Sequence, residues 1–128
     1  MTATPLRLLL AATVVAIAGR LLDARWHATH DEFEGASEQL EAHWLAWLGV
    51  AGMVGAAAYA LRREGRRVGY VLVLLGGAVY ATVGTWHFIA HANGEDPEVA
   101  HVFLALANLL LLSGVVVALA QRARRRSP

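Results

Sequence analysis

Six histidines, His27, His30, His43, His87, His91 and His101, are the residues of this sequence best equipped for chemistry. His87 and His91 are four residues apart, as are Asp23 and His27, so each pair falls on one helical face where two side chains can converge on one ion. His43 and His101 follow at the heads of later apolar segments. The order Trp26-His27 then Ala42-His43 returns about 60 residues on as Trp86-His87 then Ala100-His101. Neutral imidazoles joined by a carboxylate suit copper, zinc or iron and not the oxygen-rich sites of calcium and magnesium. There is no cysteine, so thiolate ligation and disulfides are excluded. One grouping takes Asp23, His27 and His43 and a second takes His87, His91 and His101; a single centre shared by both halves would use the same residues. His30 sits among Asp31, Glu32 and Glu34, in a stretch whose plainer reading is solvated surface, and it is the weakest member of the ligand set. A b-type haem held by two histidines is the alternative cofactor, with Gly84 one turn before His87 leaving room for a porphyrin.

Such residues need elements that bring their ends together. The chain has 128 residues, 57% of them hydrophobic, and its apolar residues lie in long blocks rather than stripes. Residues 6–22, 42–61, 68–90 and 99–120 form four such blocks, and the last three have the ~20 residues that cross ~30 Å of hydrocarbon at ~1.5 Å per residue. The expected fold is an all-α integral membrane four-helix bundle, a single domain over residues 1–128 made of two tandem helical hairpins, 5–61 and 68–120. Thr4-Pro5 reads as a helix start, and Asp96-Pro97-Glu98 as another, with the acids beside the positive end of the helix dipole. The first block also has the look of a signal peptide, with Ala16-Ile17-Ala18 as the cleavage site; its match to the third block favours keeping it as a span.

Charge sets the orientation. Arg62, Arg63, Arg66 and Arg67 between the second and third blocks, Arg122, Arg124, Arg125 and Arg126 in the tail, and Arg7 account for nine of the eleven arginines. The opposite loops hold nine of the ten acids. The positive-inside rule then places both termini in the cytoplasm and the histidine-rich face outside the cell membrane. The arginines flank spans and so serve topology and lipid headgroups, leaving no basic face for nucleic acid; the partners are the lipid bilayer and, as further options, a homo-oligomer or a larger membrane complex.

Inside the spans, Arg20 lies three residues before Asp23, where it can orient the carboxylate or form an ion pair that explains both charges without any metal. Asn108, seven residues after His101, is a polar group for bonding across the bundle. Trp26, Trp44, Trp47 and Trp86 form an interfacial aromatic belt. Gly49, Gly52, Gly55, Gly76, Gly77 and Gly84 are small residues that let helices approach.

The segment Asp23-Ala-Arg-Trp26-His27 followed by His43 resembles the Asp-x-x-Trp-His plus downstream His motif in the C subunit of the copper membrane monooxygenases that act on methane and ammonia. The resemblance covers the first half of the chain and implies Asp23, His27 and His43 as metal ligands. The stretch before His43 is longer, acidic and without the family's proline, and Val83 stands where the second half would need an aspartate. The chain is also smaller than the family's subunit and lacks the soluble copper domain of its companions. What the resemblance implies is therefore a ligand set; for the activity, oxidation, metal handling and a non-catalytic subunit role all stand open.

Overall fold

The computed structural model describes residues 4–29, 36–65, 67–95 and 97–124. They form four helices, α1 (Thr4–Thr29), α2 (Ala36–Glu64), α3 (Val68–Ala92) and α4 (Glu98–Arg124), with no strand among the described residues. All four are long and apolar enough to cross a membrane. The chain is a multi-pass membrane four-helix bundle.

The helices overrun the apolar blocks that announce them. α1 continues past Leu22 to Thr29, and α2 starts at Ala36, ahead of Ala42. Hydropathy marks where the chain leaves hydrocarbon, whereas a helix ends where its backbone hydrogen bonds stop, and the Ala, Arg, Leu, Glu and Gln of these flanks are good helix formers. The overrun matters because it keeps Asp23 and His27 on one rigid face.

α1 lies along α2 and α3 along α4; α2 and α3 join the two pairs, and α1 and α4 barely touch. Lipid tails offer helices no hydrophobic reason to associate, so close backbone approach and van der Waals packing must hold the pairs. In the first pair Gly19 sits directly on the backbone of Leu45 and Ala46. In the second, Gly69 and Gly114 face each other's helix: a Cβ on either would stand 2.7 Å from a backbone oxygen of the other pair member. Neither Gly19 nor this pair is obvious from sequence, whereas Gly55, counted above as a packing residue, has nothing within 4 Å. Leu9, Met53, Val73, Tyr80 and Leu111 are buried in the core, while Val14, Leu21, Val102, Leu109 and Val116 are exposed as lipid-facing residues.

Two tight turns fix the ends. Gly65 adopts φ +79°, a left-handed conformation that glycine accepts without penalty, and its N–H donates to the Leu61 carbonyl at 3.1 Å to close α2. At the other end Gly94 (φ +77°) donates to the His91 carbonyl at 2.9 Å, which stops α3 just beyond His91 and returns the chain at once toward His101. Asp96 lies outside the described residues; Glu98 opens α4.

Candidate metal centre

One face of each helix carries the site. Arg20, Asp23 and His27 follow three- and four-residue steps along α1, as do His43 and Trp47 on α2, Tyr80, Gly84, His87 and His91 on α3, and His101, Leu104 and Asn108 on α4. Because the chain reverses between consecutive helices, the histidine ends of all four meet at one end of the bundle.

Asp23, His27 and His43 form the first group. The Nε2 atoms of His27 and His43 each lie 3.3 Å from the same carboxylate oxygen, Asp23 Oδ1. The other oxygen, Oδ2, accepts a hydrogen bond from Arg20 Nη1 at 3.1 Å. Asp23 and His43 are buried, and His27 is more exposed. Arg20 is in turn held by Tyr80 of α3, its Cζ 4.7 Å from the ring centroid, a cation–π contact across helices. One carboxylate oxygen is thus engaged by the guanidinium and the other is turned toward two imidazole nitrogens.

His87, His91 and His101 form the second group. His87 Nε2 lies 2.8 Å from His101 Nε2 and 3.0 Å from His91 Nε2. An imidazole nitrogen offers either one N–H or one lone pair, so His87 Nε2 cannot serve both neighbours with good hydrogen-bond geometry. Lone pairs turned toward a shared cation would satisfy all three rings. Two nitrogens bound to one ion at about 2.0–2.1 Å stand at most about 4.2 Å apart, and the two contacts of His87 fall well inside that limit. In each group the ligand atoms lie within 4.8 Å of one another. The donor set fits the chemistry: imidazole for copper, zinc or iron in both groups, with one carboxylate in the first.

The groups are neighbours, with the His43 and His87 ring centroids 6.4 Å apart. They border a cleft of about 350 Å³ lined by Asp23, His27, His43, His87 and His101, with Arg20, Trp47, Tyr80 and Asn108 among its other walls. His91 stands behind His87, outside that lining.

Several expectations change in detail. Trp47 is not a belt residue: it turns inward and packs edge-on against Tyr80 with centroids 5.5 Å apart, while Trp44 and Trp86 remain exposed as a belt requires. The space at Gly84 is taken by the Trp47 ring, which a Cβ there would meet at 3.0 Å. The amide nitrogen of Asn108 donates to the Leu104 carbonyl of its own helix at 2.9 Å, and its side chain also borders the cleft. His30 lies outside the described residues. Tyr80 was not singled out from the sequence, although its spacing of four and seven residues from Gly84 and His87 puts it on the histidine face of α3. Comparison of the chain with protein-family models, curated proteins and solved structures finds no match.

Proposed function

We propose that the protein is a membrane metalloprotein that binds transition-metal ions at two adjacent triads, Asp23–His27–His43 and His87–His91–His101, on its extracytoplasmic face. The observation that carries this reading is the convergence of six candidate ligand side chains from four helices into two groups, five of the six bordering one cleft. Copper, zinc and iron all suit the donors, and the resemblance of the first triad's motif to that of the copper membrane monooxygenases favours copper there. Each triad supplies three protein donors beside a cleft with room for a small molecule, the arrangement of a reactive or exchanging centre; a purely structural ion would be enclosed by four. When bound, the ion would supply Lewis-acid polarisation to a small ligand in the cleft, while the chain's own residues set its surroundings. Arg20 fixes the Asp23 carboxylate, Tyr80 holds Arg20, Trp47 packs against Tyr80, and both rings wall the cleft beside the buried His43 and His87. The haem alternative would set two imidazoles on opposite faces of a flat macrocycle, whereas three Nε2 atoms here meet at one point and Trp47 fills the space beside Gly84.

Elemental analysis with an absorption spectrum of detergent-purified protein tests this directly. Two equivalents of copper, zinc or iron per chain without a Soret band is the expected outcome. A Soret band would replace the proposal with haem, and a metal-free protein that also takes up none on titration would remove it.

Orientation has its own check. Gly65 lies in the arginine-rich turn and Asn93 at the histidine end, both exposed. Cysteines introduced at Gly65 and Asn93 are expected to react with an impermeant thiol reagent from opposite sides of the membrane, Asn93 from outside. Labelling of Asn93 only in inverted vesicles would place the metal centre in the cytoplasm.

A further inference from the structure

The bundle is open along one side. α1 and α4, the first and last helices, barely touch, and two cavities lie along the seam between them. At the arginine-rich end a cleft of about 380 Å³ is lined by Arg7 of α1 and Arg122 of α4, with Leu6, Leu10 and Leu119 below them. Arg7 is exposed and Arg122 half-buried, and neither forms an ion pair with a carboxylate among the described residues. Two guanidiniums that face one gap repel each other unless an anion lies between them, and two arginines forking onto one anion is a geometry suited to phosphate.

Farther along the seam is a second, mainly apolar cavity of about 230 Å³, with Ala16 and Ile17 of α1 and Leu111 and Leu112 of α4 on its two sides, Val50 and Met53 of α2 at its back, and Arg20 and Asn108 at its inner end. Ile17 stands ten residues from Arg7, and Leu112 ten residues from Arg122. At ~1.5 Å per residue both are ~15 Å from their arginine, which is half of a ~30 Å hydrocarbon core and so the depth of one leaflet. Charge at the rim, apolar walls below and a cavity at leaflet depth describe one kind of occupant.

We propose that the α1–α4 seam binds one anionic phospholipid, its phosphate between Arg7 and Arg122 and an acyl chain lying along the seam to Ile17 and Leu112. The lipid closes the side of the bundle that the polypeptide leaves open. The headgroup end lies opposite the histidines, while the inner end of the acyl cavity shares Arg20 and Asn108 with the wall of the metal cleft, so the test below is run on metal-free protein.

Native mass spectrometry of the chelator-treated full chain in detergent, titrated with phosphatidylglycerol or phosphatidylcholine, tests this. One phosphatidylglycerol per chain should bind in preference to phosphatidylcholine. Arg7→Gln with Arg122→Gln should weaken it about 30-fold, the product of two guanidinium contributions near a headgroup. Arg62→Gln with Arg63→Gln removes the same charge from the same end but away from the seam and should change binding less than twofold. Glycerol phosphate, which has the headgroup chemistry without chains, should fail to compete. Equal loss in the two double variants would reduce the effect to diffuse surface charge, and effective competition by glycerol phosphate would make the ligand a free phosphate; either result overturns the proposal. So does equal binding of the two lipids.

Discussion

Asp23→Asn is expected to lower metal affinity at the first triad by more than about 100-fold, leaving roughly one ion per chain where the unaltered protein holds two. Replacing a residue that only orients a ligand typically costs about 10- to 100-fold, and removing a charged donor costs more. Asparagine keeps the shape of the side chain but loses the negative charge that Oδ1 turns toward His27 and His43 at 3.3 Å. Arg20→Gln supplies the graded control. It leaves the carboxylate in place but releases Oδ2, so metal affinity should fall by about 10- to 100-fold. The contrary account, a plain Arg20–Asp23 ion pair with histidines nearby, makes different forecasts. The two single variants would then destabilise the protein about equally, the double variant would recover part of the loss, and no variant would change metal content. Recovery of that kind in protein that takes up no metal would leave a structural ion pair and nothing else.

His87→Ala should have the second large effect, because His87 Nε2 is the atom that both His91 and His101 approach. Its loss should empty the second triad, whereas His91→Ala and His101→Ala each leave two adjoining donors and a weaker site. The readout is the rise in thermal midpoint on adding metal, measured from a chelator-treated baseline so that any packing defect from the missing ring is subtracted. A ligand present at 100 times its dissociation constant stabilises the folded state by ~2.7 kcal/mol. His87→Ala should lose the second triad's share of that rise and keep the first triad's. Combining it with Asp23→Asn should abolish the rise altogether. If His87→Ala responds to metal like the unaltered protein, the second group is a cluster of interfacial histidines and only the first triad stands.

Tyr80 and Trp47 connect these two experiments. Tyr80 is almost fully buried, comes from the second helix pair and stacks on an arginine of the first, so it couples the position of Asp23 to the placing of α3. Through Trp47 the same ring borders Gly84, one turn from His87. The two triads therefore share a wall as well as a cleft.

The class of this protein, its four helices and the residue types able to do chemistry are legible in the chain alone: long apolar blocks can only satisfy their backbone groups in lipid as helices, and the pairs Asp23/His27 and His87/His91 share a face whenever a helix persists. Both are local rules, a period of 3.6 and a length set by bilayer thickness. What they leave open is whether helix persists beyond Leu22, because hydropathy is silent about backbone hydrogen bonds, and how the six candidate side chains group in space. Both depend on how the helices pack. The close approach at Gly19 and at Gly69 with Gly114 sets how far α1 lies from α2 and α3 from α4, and the short turn at Gly94 returns His101 to His87. Tertiary structure also turned Trp47 inward and enlisted Tyr80, since the direction of a side chain around a helix becomes meaningful only once the neighbouring helix is in place. The open α1–α4 seam has the same origin: each helix is apolar nearly all round, so its own sequence cannot say which side meets protein and which meets lipid.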